Sequence, residues 1–336
     1  MYEFSNRSTG EKLLCRFAVC DPNKPETIRW LQECVRDEYG ESYPMKCIYD
    51  TQLFAAKLRG DDITAILALT EENEPVASLA LAPSGDLKGV RELTMHVVCR
   101  RYRGFHVGTA LTKALIEQPE VQKLCSVTAH AVTFHPKAQH QTLSCGLVPT
   151  GFLFMVHSNR ILHHTFSVEG VDKQSLAVAV KAERKRNAGT LYAPSEHRAF
   201  IESIYHRLGV DFAFAEGSEP KGECRISSKQ DEEHHTRTLM LYCGGAGLEE
   251  RLDAYLNAEH FPDQTMSVFL DMNSPSAPFT YQLLKDRGFI FSGLQPLCEN
   301  GEFIILNHPM GMRVPFERLS IDDGYKELFD YIRARA

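Results

Sequence analysis

The pattern of apolar and polar positions changes period several times along the first half of the chain, and each change predicts an element. Residues 13–19 read as a strand. Residues 25–39 read as a helix, opened by Asp21-Pro22 and stopped by Gly40. A second helical stretch over 50–59 ends at Gly60. Apolar runs at 63–69 and 76–81 are joined by Glu71-Glu72-Asn73-Glu74-Pro75, which predicts a hairpin. Residues 91–99 form the next strand. A basic, glycine-containing turn follows, then an amphipathic helix with Val107, Ala110, Leu111, Ala114 and Leu115 on one stripe. A strand over 127–133 and a short helix from Pro136 to Gly146 come next. Residues 148–156 and 175–180 predict a closing strand pair.

The charged run 181–186, followed by Asn187-Ala188-Gly189, reads as a linker. It divides the chain into domains at 1–187 and 188–336. Helices are expected at 196–208, 248–258, 277–287 and 324–333, with a strand at 266–271 and further strands between. A faint repeat supports two related halves. Residues 135–151 align without gaps on 277–293, matching Pro136 with Pro278, Gly146 with Gly288 and Gly151 with Gly293. Three identities in seventeen are few, but the order strand, helix, glycine, strand is shared.

Composition narrows the function classes. At 336 residues the chain suits two domains of about 150 residues each. A net charge of −7 supplies no basic surplus for a nucleic-acid backbone, so none is expected as partner. No apolar run approaches the roughly 20 residues of a membrane span, and residues 1–7 lack a leader's basic-then-apolar pattern. The ten cysteines show no C-x-x-C pair and no zinc-finger spacing to histidine, so neither a disulfide framework nor a metal site is expected. Scattered thiols fit a reducing cytoplasm.

The candidate chemistry sits in Val97-Val98-Cys99-Arg100-Arg101-Tyr102-Arg103-Gly104-Phe105-His106-Val107-Gly108-Thr109. A strand enters a turn bearing three arginines and two glycines, and the turn opens a helix. Free backbone N–H groups and the positive end of the helix dipole then converge on one point, which suits a pyrophosphate.

This stretch resembles the acyl-CoA site of the GNAT superfamily of N-acyltransferases, in which a strand precedes R/Q-x-x-G-x-G/A and a helix. Arg103 and Gly108 keep the pattern, and His106 stands at the first motif glycine. The element order over about residues 10–185 resembles the whole GNAT fold, a mixed and largely antiparallel α/β sheet flanked by helices. Glu38-Tyr39-Gly40-Glu41-Ser42-Tyr43-Pro44, His135-Pro136-Lys137-Ala138-Gln139 and Tyr192-Ala193-Pro194 followed by Glu196-His197-Arg198 look like segments of a bacterial GNAT subgroup with a degenerate C-terminal repeat. The resemblance implies acetyl-CoA or another acyl-CoA as co-substrate, an amine acceptor, and a monomer of paired repeats or a homodimer. It implies a donor site at Val97, Val98, Arg103, Gly104, Phe105, His106, Val107, Gly108 and Thr109, with the pantetheine arm pairing along Val97 and Val98.

Acyl transfer to an amine needs proximity, a base for the ammonium proton and a donor for the oxyanion. Alternation along the strand places Glu92, Thr94, His96 and Val98 on one face. Glu92, eleven residues before Arg103, is where some GNAT enzymes carry a glutamate base. His96 lies nearer the expected thioester, and His135 ends the next strand. These three are the candidate catalytic residues. The position where many GNAT enzymes carry an acidic tyrosine is Thr142 here, and Leu284 in the second half. In the second half, Gly244-Gly245-Ala246-Gly247 lacks a neighbouring arginine and is flanked by Glu249 and Glu250, so one donor site is expected. The alternative reading is a GNAT-fold module that binds CoA or a metabolite without turnover.

Overall fold

The computed structural model describes all residues except 7, 61, 160, 162, 165–172 and 185–186. The strands are β1 (Tyr2–Ser5), β2 (Lys12–Val19), β3 (Thr64–Leu69), β4 (Pro75–Pro83), β5 (Val90–Val98), β6 (Ser126–Val132), β7 (Val148–Ser158), β8 (Lys173–Ala182), β9 (Asn187–Leu191), β10 (Asp211–Phe214), β11 (Arg225–Asp231), β12 (Thr236–Cys243), β13 (Thr265–Asp271), β14 (Ile290–Cys298) and β15 (Gly301–His308). Thirteen of them form a single mixed sheet in the order β1-β2-β3-β4-β5-β6-β8-β7-β14-β15-β13-β12-β11. Every neighbouring pair in it is antiparallel except β5 with β6 and β12 with β13. The short β9 and β10 pair separately and in parallel.

The helices are α1 (Pro25–Tyr39), α2 (Thr51–Arg59), α3 (Val107–Ile116), α4 (Lys137–Ser144), α5 (Arg198–Leu208), α6 (Leu248–Asn257), α7 (Ala277–Asp286) and α8 (Asp323–Arg333). Their ends follow local chemistry. Pro25 opens α1, where its missing N–H costs nothing. Asp50 caps α2 by accepting from the N–H groups of Gln52 and Leu53, both at 2.9 Å. In the first half, α1 and α2 cover one sheet face, packing Ile28, Leu31, Val35 and Phe54 against Leu67, Met95 and Val97. On the other face, α3 packs Val107, Leu111 and Leu115 against Ile66, Leu79 and Val127. No helix among the described residues is long and apolar enough to cross a membrane.

The two halves of the sheet mirror each other about the β7–β14 contact. The run β5-β6-β8-β7 on one side answers β12-β13-β15-β14 on the other, and each contains one parallel pair. The glycines that end α4 and α7, Gly146 and Gly288, have φ of 81° and 84°. Met155 in β7 and Leu297 in β14 have positive φ of 56° and 63°. Each of those two carbonyls accepts from the other half: Leu297 from Ser126 Oγ at 3.2 Å, Met155 from Thr265 Oγ1 at 2.8 Å. The predicted hairpin and the closing strand pair are both present, as β3–β4 and β7–β8. The charged run expected as linker is only partly so: Lys181 and Ala182 still belong to β8, and 185–186 lie outside the described residues.

Candidate functional site

The site begins where two central strands part. β5 and β6 pair in parallel from Val90–Ser126 to Leu93–Ala129 and no further. β4 stays with β5 beyond that point, pairing through Ala77 and Val98. The Cys99 N–H donates to Val76 O at 2.9 Å and so faces β4. Alternation turns the N–H of Val98 the other way, into the gap left by β6. A strand edge is thus exposed in the middle of the sheet. Glu92, Leu93, Thr94, His96 and Val98 are only partly buried, although helices cover this strand on both faces, so they line a cleft.

The expectation that Glu92, Thr94, His96 and Val98 share one face is corrected here. Met95 has φ of 50°, and the pairing of β4 with β5 slips between Ser78 and Ala80. This bulge adds a residue to β5 and reverses the alternation after it. Thr94 faces the α1 side, where its Oγ1 meets Tyr43 Oη at 2.7 Å, and Met95 lies in the α1–α2 core. His96 faces α3 and α4, with Nε2 at 2.9 Å from Gln141 Nε2. Glu92 and His96 therefore line opposite sides of the sheet. Nothing in the sequence marks a methionine for a left-handed backbone position.

At the mouth of the cleft lies the arginine- and glycine-bearing turn. Among the described residues, the backbone N–H groups of Gly104, Phe105, His106, Val107, Gly108 and Thr109 donate to no acceptor in the protein. His106 takes the left-handed conformation just before α3, with φ of 61°, where glycine would carry no strain. A Cβ on Gly108 would lie 2.9 Å from His96 Nε2 and 3.0 Å from Val98 Cγ2, so only glycine fits between helix and strand. The phenyl ring of Phe105 and the side chain of Val107 are buried and anchor the turn.

The three arginines are held by carboxylates. Arg100 pairs with Asp37 at 3.3 Å, Arg101 with Glu74 at 2.8 Å and Arg103 with Glu38 at 2.7 Å. Arg103 Nε also donates to Val98 O at 3.0 Å. Asp37 and Glu38 sit in the last turn of α1, so two of these pairs tie that helix to the turn. The Arg103 guanidinium is bound to the buried Glu38, so the groups of this turn left without a protein partner are its backbone amides from Gly104 to Thr109.

Inside the cleft, Glu92 Oε1 lies 3.1 Å from His130 Nδ1. Burial pushes the Glu92 carboxyl up, but His130, His157 and Ser84 outweigh it and hold it below its ordinary value. For His130 burial pushes the imidazole down, and Glu92 outweighs this, so the imidazole stands above its ordinary value. His96 is pushed down to about 4 by burial. His135 is also pushed down to about 4, by burial and by the Lys137 charge, and packs edge-on to Phe134 at 4.9 Å. Thr142 Oγ1 meets Tyr325 Oη of α8 at 2.8 Å. His130 and Glu38 were not among the residues expected from sequence. His130 occupies the first position of β6 beyond its pairing with β5, a place visible only once the register is known.

The second half builds its equivalent turn differently. Gly244 N–H donates to Ser276 Oγ at 2.9 Å and Ala246 N–H to Gly222 O at 2.8 Å. A Cβ on Gly245 would meet Gly222 O at 2.6 Å. Residues 222–224 thus fill the space over this turn, and the Gly244 and Ala246 amides serve the protein's own acceptors.

No family model matches the sequence, and no curated protein matches it. Solved structures resemble half of it. The spermidine/spermine N-acetyltransferase SpeG of Vibrio cholerae is 14% identical over 50% of this chain and 92% of its own, with a TM-score of 0.38. A protein described as an acetyltransferase from Acinetobacter baylyi ADP1 is 13% identical over 50% of this chain and 92% of its own, with a TM-score of 0.40. One described as a GNAT-family acetyltransferase from Desulfovibrio desulfuricans is 12% identical over 51% of this chain and 100% of its own, with a TM-score of 0.39. The similarity is to GNAT acetyltransferases. At these identities and TM-scores the likeness carries nothing about this chain's activity or substrate.

Proposed function

We propose that residues 1–187 form an acyl-CoA-dependent N-acyltransferase domain and that residues 188–336 are a related domain without a donor site. The observation that carries this reading is the run of six unbonded N–H groups at Gly104 to Thr109, placed where β5 parts from β6. The amides and the α3 dipole would hold the donor's pyrophosphate. The pantetheine arm would then extend along the free edge at Val98 and His96, as an added strand does. That path brings the thioester to the level of Glu92, Thr94 and His130, where an amine entering from the α1 side meets it.

The reaction is direct attack. The amine nitrogen adds to the thioester carbonyl carbon once a base has taken its proton, and the carbon–sulfur bond breaks to release the CoA thiol. Holding the two reactants together supplies much of the acceleration. Acetyl-CoA is the donor to try first, and the acceptor is an amine of a small molecule or a protein in the cytoplasm. Glu92, His96 and His135 remain the residues proposed from sequence for the proton.

The test is calorimetric titration with CoA followed by a thiol-release assay with acetyl-CoA and a panel of amines. One CoA bound per chain with amine-dependent thiol release is expected. CoA binding with no thiol release would favour the non-catalytic module, and absence of CoA binding would overturn the donor site.

A further inference from the structure

We infer that His130 is the catalytic base of the first-half site and that Glu92 is its positioning carboxylate. The inference rests on the acyltransferase reading and names the proton acceptor of that same cleft.

The geometry is that of a base oriented by an acid. Glu92 Oε1 and His130 Nδ1 are 3.1 Å apart. With Nδ1 engaged by the carboxylate, the free lone pair of the neutral imidazole lies on Nε2. Among the described residues Nε2 has no protein partner. The His130 side chain keeps 15% of its surface accessible although β6 lies between β5 and β8 in the centre of the sheet. It therefore opens on the cleft. Its place, one residue past the last β5–β6 pair at Leu93–Ala129, is the floor of the opening.

Proton affinity separates the candidates. A general base works best when its pKa lies near the working pH. His96 and His135 are both pushed down to about 4, chiefly by burial, and Glu92 is held below the usual carboxylate range despite burial. His130 alone of these four is pushed upward, by the charge and hydrogen bond of Glu92. The groups facing this dyad are Ser84, which donates to Glu92 at 3.4 Å, Tyr43, whose hydroxyl comes from the segment after α1 and is pushed up chiefly by burial and also by Glu92, and His157 of β7. His157 is pushed down to about 3 by burial and by His234, on which it stacks at 4.7 Å, so it stands neutral beside the pair. Asp231 acts on His157 and His234 from the second half, further along the same line.

The step balances without a further reactant. His130 Nε2 takes a proton from the amine. The amine lone pair forms the new carbon–nitrogen bond, and the carbon–sulfur bond breaks. The departing thiolate takes this proton from the His130 imidazolium, which restores the neutral imidazole of the dyad.

The experiment compares His130→Gln and Glu92→Gln by the pH dependence of kcat/KM, and follows the His130 imidazole by NMR in the protein without substrate. In the wild type, activity should rise with pH through the His130 pKa and then level off. His130→Gln should lose on the order of 10²–10⁴-fold in rate and its acid limb, with CoA affinity within a few-fold. Glu92→Gln should retain the limb but shift it to lower pH, and the His130 titration should fall with it, because only the depressing effect of burial remains. The opposite pattern, in which Glu92→Gln removes the limb and His130→Gln merely raises it, would make Glu92 the base and overturn the assignment. A His130 titration unchanged in Glu92→Gln would overturn the dyad even if no amine is acetylated. Failure of thiol release in the wild type with a normal His130 titration would instead overturn the acyltransferase reading.

Discussion

Gly151 and Gly293 are backbone partners at the one place where β7 meets β14, and a Cβ on Gly293 would lie 2.3 Å from the Cα of Gly151. They occupy equivalent positions in the two halves, so the chain folds its repeat back on itself through a pair of glycines. Gly293 also has φ of 118°. Gly293→Ala should therefore cost at least the ~1–3 kcal/mol typical of overpacking, with backbone strain added. Gly146→Ala, which meets nothing within 4 Å and carries only the strain of φ at 81°, should cost less. Urea denaturation of both variants is the check; equal midpoints would mean that the two halves can move apart freely.

The Arg103–Glu38 pair predicts a double-mutant pattern. Glu38 is 6% exposed, so Arg103→Ala leaves a buried carboxylate without its 2.7 Å partner. Loss of one member of a buried pair costs about 3–5 kcal/mol. Glu38→Gln in addition should recover part of that loss. If the two substitutions were simply additive in urea unfolding, the pair would not be what holds α1 to the turn.

Donor binding should be sensitive to Gly108. Gly108→Ala must displace His96 or Val98, and Gly108→Glu adds a negative charge beside the amides. At least a tenfold loss of CoA affinity is expected for the first and a larger one for the second, in calorimetric titration. Wild-type protein should bind one CoA per chain, because Gly222 already occupies the second turn. A stoichiometry of two would show that residues 222–224 can be displaced.

Half-buried neutral imidazoles predict a stability loss in mild acid. His96 and His135 stand at about 4 and His157 at about 3, each lowered chiefly by burial. In the unfolded chain they would titrate near 6.5. Between these values the unfolded chain binds protons that the folded one does not. The stabilisation is thus complete above about pH 6.5 and is lost as pH falls toward 4. Each such proton contributes a slope of up to about 1.4 kcal/mol per pH unit. His96→Gln should flatten the fall in urea midpoint over this range. A midpoint independent of pH there would mean that these rings charge in place.

Local features were legible in the sequence because local chemistry decides them. Pro25 and Gly40 bound α1, Asp50 caps α2, and the stripe through Val107, Leu111 and Leu115 buries α3 against the sheet. The glycines aligned between the halves end equivalent helices and meet at the junction. The free amides of the turn from Gly104 to Thr109 were legible, since glycines and a helix start announce them. What these arginines bind was not, because their partners Asp37, Glu38 and Glu74 are 63, 65 and 27 residues away along the chain.

The sequence by itself determined most element types and the location of the glycine- and arginine-bearing turn, since each depends on spacing within a dozen residues or so, and it showed the repeat. Tertiary structure decided which side chains share the cleft. The bulge at Met95 moved Glu92 and His96 to opposite sides of one strand, and the register of β5 on β6 set His130 beside Glu92. It also joined both halves into one sheet of thirteen strands and closed the second turn with residues 222–224. These outcomes depend on strand register and on contacts between distant segments. Both are set by the packing of the whole chain, which no local pattern records.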